Sequence, residues 1–153
     1  MADYTVTRSQ LISAPPDRIY PLIIDLHEWR RWSPWEGVDP DLDRHYGDAD
    51  AGVGATYAWS GNRRAGRGTM EIVETTEPTR VAVDVTFEKP LRSHSTSVFT
   101  LAPRGAQTEV TWTMTGAHSL FSRIAAPLGL FDRVIGKDFE KGLTALKSAT
   151  ELT

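Results

Sequence analysis

The chain has 153 residues, a formal net charge of −3 and no cysteine. This length is typical of one domain, residues 1–153, whose core is large enough to enclose an internal cavity. The charge gives no general attraction for nucleic acid or anionic lipid, and the absence of cysteine excludes disulfides, thiolate nucleophiles and thiolate metal ligands.

No window approaches the ~18 continuous apolar residues that a membrane helix needs. The first ten residues, MADYTVTRSQ, also lack the basic and apolar regions of a secretory signal. We therefore expect a cytoplasmic protein without integral membrane association.

The first third of the chain predicts one strand and two short helices. Residues 4–13 are rich in Thr, Val, Ile and Leu, as strands are, and a Pro-Pro pair ends them. Residues 15–25 then place apolar side chains at helical spacing, with Pro21 keeping this helix short or bent. Trp29 and Trp32 lie three residues apart and share one face of a second short helix, which the following proline stops.

The middle of the chain predicts an antiparallel meander. The acidic, turn-rich stretch from residue 38 to residue 50 predicts a loop with at most a short strand around residues 44–46. After it, strand-length segments alternate with turns rich in Gly and Pro. These turns are short enough for hairpins, so consecutive strands should pair with one another. The predicted strands are residues 55–60, 68–75, 80–88, 93–102 and 109–116.

The last part of the chain predicts one long helix, from Asp132 to Leu152. Its apolar residues recur at helical spacing on one face: Ile135, Phe139, Leu143 and Leu146. Such a helix needs an apolar surface, and the strands supply the only extensive one. We therefore expect the helix to lie across a curved sheet.

Alternation along the strands predicts which side chains face this helix. On the clearest strands, apolar and polar residues alternate, so the apolar ones fall on one side of the sheet and the polar ones on the other, as in a sheet with one buried face. Ser95 and Ser97 share the inward parity, so two hydroxyls join an otherwise apolar and aromatic lining. Such a lining is typical of a small-molecule pocket. The inward side chains are Tyr57, Trp59, Met70, Ile72, Val81, Val83, Val85, Phe87, Phe99, Leu101, Val110, Trp112 and Met114.

The order of elements and several motifs resemble the START-like superfamily, and within it the bacterial SRPBCC proteins labelled polyketide cyclase/dehydrase. The motifs are ISAPP, DLHEWRRWSPW, YAWSGN, GRGTMEIVE and GLTALKS. The resemblance implies an α+β helix-grip fold, with two short helices after strand 1. A seven-stranded antiparallel sheet curves around the C-terminal helix and encloses a cavity for a hydrophobic ligand. The superfamily has no universal catalytic set, so the resemblance implies a ligand class and not a reaction.

Parity and the resemblance together predict a ligand-binding site on the inner side of the sheet and the facing side of the helix. Trp29, Trp32 and Trp35 either cap the mouth of the cavity or pack in the core. Residues 120–131, which contain a Pro and a Gly, either form a gate at the entrance or pack on the sheet. The predicted ligand contacts are Tyr57, Trp59, Met70, Val83, Val85, Ser95, Ser97, Phe99, Trp112, Met114, Phe131, Ile135 and Phe139.

The sequence predicts no catalytic residue, metal site or cofactor. The four histidines, at positions 27, 45, 94 and 118, are scattered and lack metal-ligand spacing. Ser95 and Ser97 have no base on the neighbouring strands, and Glu71 and Asp84 have outward parity. The arginines of the turn GNRRAGRG either meet an anionic head group at the rim or are simply exposed: Arg63, Arg64 and Arg67.

Three functions are compatible with this sequence. The first, which we expect, is binding of a small hydrophobic or amphipathic molecule, such as a lipid, for carriage, sequestration or sensing. The alternative is a cyclase or dehydratase of the lyase type that uses the same cavity without metal or organic cofactor, by proximity of the reacting groups. The second alternative is a protein-partner module with a filled core. We expect a monomer or a homodimer.

Overall fold

The computed structural model describes residues 3–34, 41–62, 66–89, 93–117 and 130–151. They form one seven-stranded antiparallel sheet in the order β1-β7-β6-β5-β4-β3-β2, with helices before β2 and after β7. The predicted helix-grip architecture is confirmed. The strands are β1 (Asp3–Ile12), β2 (Asp43–Tyr46), β3 (Thr56–Ser60), β4 (Arg67–Thr76), β5 (Arg80–Lys89), β6 (Ser93–Arg104) and β7 (Gln107–Ala117).

Three helices are described. They are α1 (Pro16–Ile24), a 3-10 helix (Leu26–Arg31) and α2 (Leu130–Glu151), which is the predicted C-terminal helix. Within the described ranges, none of these helices combines the length and the apolarity that crossing a membrane requires.

The two short helices form one unit because their buried polar groups satisfy each other. The indole N–H of Trp29 donates to the Ile23 carbonyl and that of Trp32 to the Leu22 carbonyl, each over 2.8 Å. These bonds turn the 3-10 helix back onto α1 and bury both tryptophans. The 3-10 helix ends at Arg31, so Trp32 follows the helix that was expected to contain it.

The sheet has the predicted inner, apolar face and a polar outer face. Inward residues of the central strands, such as Val83, Phe99 and Trp112, are fully buried. Outward neighbours pair with one another instead, as Thr96 and Asp84 do over 3.1 Å. A bulge between Ile72 and Glu74 interrupts the pairing of β4 with β5, and such bulges increase the local bend of a sheet.

Helix α2 packs most closely against β1 and approaches α1 and the 3-10 helix. The ring of Phe139 stacks on Trp112 with centroids 3.9 Å apart and an angle of 6° between the planes. Gly142 permits a close approach, because a Cβ there would lie 2.8 Å from Pro34 Cδ and 3.2 Å from Trp112 Cζ3. The predicted apolar face of this helix is therefore in the core.

Helix α2 is bonded to the first part of the chain at two points. Near its middle, the Arg8 guanidinium donates to the Glu140 carboxylate over 2.9 Å, and it occupies the space beside Gly136. At its end, the Glu151 carboxylate accepts the Ser13 backbone N–H over 2.7 Å. These bonds hold the second half of the helix against β1 and the residue that follows it.

Candidate functional site

The inner side of the sheet has two unlike regions. We call the first the closed end: an aromatic cluster that joins the helices to β6 and β7 and consists of Trp29, Trp32, Phe99, Trp112 and Phe139. Every member is buried, and ring centroids of neighbouring members lie between 3.9 and 6.4 Å apart. Each member is at most 4% exposed, so these rings mainly contact one another.

The second region, the open end, lies on the inner face of β3 to β6. Its side chains point inward, but several are only half-buried. The open end consists of Tyr57, Trp59, Met70, Val85, Phe87, Ser95 and Ser97. Sheet register groups them, since Tyr57, Met70, Val85 and Ser95 are successive partners across four strands.

The predicted ligand contacts therefore separate into two groups. The closed end holds Phe99, Trp112 and Phe139, and the neighbouring Val83 is fully buried as well. Two further predicted contacts belong to neither region. Met114 is the register partner of Ser97 on β7, and Ile135 is half-buried on α2. Residue Phe131 belongs to α2, but its side chain lies outside the described part of the structure.

Ser95 and Ser97 bring two hydroxyls to the open end. The two residues are 5% and 3% exposed, respectively. Within the described ranges, neither hydroxyl makes a hydrogen bond to the protein, and neither oxygen is among the completely buried side-chain atoms that lack one. Because buried hydroxyls normally have a partner, these two are available to water or to a bound molecule.

Trp59 owes its position to a glycine. A Cβ on Gly68, its register partner on β4, would lie 2.7 Å from Trp59 Cη2 and 2.5 Å from the Thr86 carbonyl oxygen. The indole therefore packs closely against Gly68, and Phe87 meets it edge-on with ring centroids 5.3 Å apart. Gly68 thus allows a large ring to line the open end without blocking it.

The outward residues remain outside this site. The Asp84 carboxylate lies 3.8 Å from His94 Nε2. Glu71, the register partner of Asp84 on β4, is exposed. The Arg67 guanidinium lies 3.6 Å from the Glu88 carboxylate. Several other residues named in the sequence analysis lie outside the described residues: Trp35, Arg63, Arg64, His118 and the predicted gate up to residue 129. Nowhere in the described ranges do three His, Asp or Glu side chains converge as metal ligands would.

Sequence reasoning missed a histidine on the inner side. His27 stacks on Tyr46 with ring centroids 3.9 Å apart and an angle of 18° between the planes, and its Nδ1 lies 2.9 Å from Asp25 Oδ1. Tyr46 is the register partner of Tyr57, so both tyrosines point to the same side of the sheet. Strand parity could not place His27 because it lies in the 3-10 helix. The available signal was Asp-x-His at the start of that helix.

Two carboxyl groups on α2 have perturbed pKa values, Asp138 upward and Glu151 downward, and Asp138 is the one nearer the closed end in sequence. Partial burial raises the pKa of Asp138 because it disfavours the charged form, and the positive charge of Lys141 opposes this increase. Asp138 precedes Phe139, whose ring belongs to the closed end. A carboxyl group whose pKa is raised by partial burial is therefore the sequence neighbour of a closed-end residue.

Comparison with known proteins agrees with this architecture. A family model described as polyketide cyclase / dehydrase and lipid transport matches residues 3–151. No curated protein sequence matches the chain.

Solved structures share the fold over nearly their full length. TTHA0849 from Thermus thermophilus has 19% identity and a TM-score of 0.70, covering 97% of this chain and 98% of its own. MLL2253 from Mesorhizobium loti has 17% identity and a TM-score of 0.71, covering 98% of each chain. The Aha1 dimer from Colwellia psychrerythraea has 18% identity and a TM-score of 0.67, covering 97% of this chain and 96% of its own. At such identities the similarity shows a shared fold.

Proposed function

Since the chain belongs to the polyketide cyclase / dehydrase and lipid transport family, we propose that it binds a small hydrophobic or amphipathic molecule between the open end and the C-terminal helix. Its role is to carry, sequester or sense that molecule. The supporting observation is that Trp59, Val85 and Phe87 face inward but are only half-buried. Covering such surface contributes about 25 cal/mol per Å2 of apolar area, which needs no reactive residue.

In this proposal the closed end and the open end have different roles. The closed end supplies rigidity, because its rings fill the space between helices and sheet. The open end supplies the contact surface, with apolar walls and the Ser95 and Ser97 hydroxyls as sparse polar groups. Ligand sites commonly combine an apolar lining with a few placed polar groups that fix orientation.

Native mass spectrometry of the purified protein tests the proposal directly. We expect a co-purified small molecule, or a saturable complex with a fatty acid, a flavonoid or an aromatic polyketide, together with a raised melting temperature. Val85→Phe should reduce that rise by filling the open end. The matched control is Val98→Phe, the same change on the outer face of β6, which should leave it unchanged.

A protein that carries no small molecule, and whose melting temperature none of the three compounds raises, would contradict the proposal. Equal effects of the Val85 and Val98 variants would contradict the location at the open end. They would show that the ligand does not contact the inner face of β5.

A cyclase or dehydratase reaction in the same cavity is the second candidate. The observation that favours it is the pair of inward hydroxyls, Ser95 and Ser97, which make no hydrogen bond to the described protein. Loss of turnover in Ser97→Ala with ligand binding intact would support catalysis. Unchanged turnover in Ser97→Ala and Tyr57→Phe would remove these groups from any mechanism.

We propose further that residues 1–153 act as one ligand-binding domain, in the cytoplasm, as a monomer or homodimer. The chain has no cysteine that a reducing compartment would affect. A structural relative of similar fold is described as a dimer. Light scattering of the purified protein distinguishes the two states.

A further inference from the structure

The Asp25–His27 pair has the geometry of an oriented base. Asp25 Oδ1 accepts the His27 backbone N–H over 2.9 Å and lies 2.9 Å from the ring Nδ1. An ionised carboxylate can only accept hydrogen bonds, so Nδ1 carries the proton shared with it. In a neutral imidazole the other nitrogen, Nε2, then has the lone pair. Among the described residues, no group bonds to Nε2.

Backbone contacts hold this pair in place. Asp25 forms an antiparallel bridge with Ala51, and the Gly52 N–H donates to the Ile24 carbonyl over 3.2 Å. The imidazole itself stacks on Tyr46, which limits its rotation. The position of Nε2 is therefore set before any ligand arrives.

The pair lies at the end of an aromatic row that lines the open end. From Tyr46 the row continues to Tyr57 at 5.0 Å, to Trp59 at 6.0 Å and to Phe87 at 5.3 Å between ring centroids. A row of rings favours stacking with a flat, unsaturated molecule. A base at one end of it favours a molecule with an acidic hydrogen at its edge.

Two other His–Asp pairs in the described ranges show what is particular about this one. His45 and Asp43 have the same spacing and a ring nitrogen to carboxylate distance of 3.1 Å, but their side chains are 71% and 65% exposed, against 44% and 34% for His27 and Asp25. His45 precedes Tyr46 on β2 and so points to the outer face. His94 and Asp84 are also on the outer face, 3.8 Å apart. Of the three pairs, only Asp25–His27 joins the inner aromatic row.

We propose that Asp25 and His27 form a proton-accepting subsite for a hydroxyaryl ligand that lies on this row. The phenolic O–H bond breaks, its electron pair stays on oxygen, and the proton bonds to the lone pair of His27 Nε2. The resulting imidazolium pairs with the phenolate, while Asp25 holds its Nδ1–H and stabilises its charge. This subsite deepens the proposed binding function and rests on it.

The test compares 4-nitrophenol with its methyl ether, 4-nitroanisole, at neutral pH. Part of the free 4-nitrophenol is already ionised at neutral pH, so the increase in 4-nitrophenolate absorbance on binding, relative to the free compound at the same pH, reports proton transfer, and the ether has no proton to give. We expect the wild-type protein to bind 4-nitrophenol as the phenolate. His27→Phe, which keeps a ring on Tyr46, should weaken that binding about 10-fold or more, as expected for one hydrogen bond to a charged group, and should abolish the increase in phenolate absorbance on binding.

Two further variants separate the subsite from its surroundings. His45→Phe is the matched control and should bind both probes as the wild type does. Asp25→Asn keeps an acceptor for the backbone N–H, since Asn is also a good N-cap residue. It should nevertheless reduce the phenolate fraction, because the imidazolium loses its carboxylate.

Each other outcome overturns a defined part of the proposal. If His27→Phe binds 4-nitrophenol as the wild type does, the base assignment is wrong while the cavity stands. If it loses both probes equally, His27 acts only as a packed ring. If the wild-type protein binds neither probe, the hydroxyaryl ligand class is wrong, and the co-purified molecule sought above decides separately whether the cavity binds ligands.

Discussion

Two glycines of the C-terminal helix lead to opposite expectations for the same substitution. Replacing glycine by alanine inside a helix gains about 1 kcal/mol of intrinsic helix stability. At Gly142 the new Cβ would lie 2.8 Å from Pro34 Cδ, well inside the ~3.5–4.0 Å optimum for two carbon atoms. Pro34 and Trp112 are both buried, and overpacking of this kind costs about 1–3 kcal/mol. We expect Gly142→Ala to lower the free energy of unfolding by up to about 2 kcal/mol.

Gly136→Ala is the matched comparison. There the new Cβ meets the flexible end of the Arg8 side chain, which can move into solvent. Its displacement breaks the ion pair with Glu140, whose side chain is 60% exposed, at a cost of about 0–1 kcal/mol. The gain in helix stability offsets that loss, so Gly136→Ala should be neutral or stabilising by up to about 1 kcal/mol.

Urea unfolding of both variants measures the difference, which we expect to be about 1.5 kcal/mol from the middle of these ranges. The corresponding difference in melting temperature is about 3–6 °C for a chain of this size. Equal slopes of free energy against urea would show that both variants unfold from comparable states. If Gly142→Ala is as stable as Gly136→Ala, the close packing of α2 on Pro34 is wrong.

Three further substitutions test other parts of the structure. Asp138→Asn should raise the melting temperature near neutral pH and have little effect in acid, because the raised pKa of Asp138 makes its ionisation destabilising as pH rises; melting curves from pH 4 to 8 check this. Glu151→Gln should lower the melting temperature at neutral pH, since the hydrogen bond from Lys147 lowers the pKa of Glu151, and the difference should shrink as pH falls through that lowered value. Trp32→Phe should cost about 2–4 kcal/mol in urea unfolding, because the Leu22 carbonyl loses its buried donor and a void remains; a cost below ~1 kcal/mol would contradict this packing.

Local patterns in the sequence were sufficient to predict the strands and helices and to identify their buried faces. Val81 to Phe87 alternate strictly, so parity alone assigned their sides, and the spacing of Ile135 and Phe139 identified the buried face of α2. Prolines and glycines between strands marked the hairpins. Such signals depend only on residues that are close in sequence, so they can be read without knowing the tertiary contacts.

The distinction between the closed end and the open end depends on contacts between residues that are distant in sequence, and strand parity does not predict such contacts. Phe99 and Val85 have the same inward pattern, but only Phe99 is covered by Trp29 and Trp32. His27 reached the inner side through the turn after α1, a tertiary placement that no local period encodes. The inward residues were therefore predictable, whereas the distinction between packing and lining was not.

The pairing of β1 with β7 joins residues that are more than ninety positions apart, as in Ile12 with Thr108. During synthesis, β2 to β6 can form their hairpins while β1 has no partner, since its two neighbours in the fold, β7 and α2, emerge last. Contacts of this sequence separation slow folding because a long loop must close first. The first strand is therefore the segment that a nascent chain exposes longest, and the one that chaperones would be expected to protect.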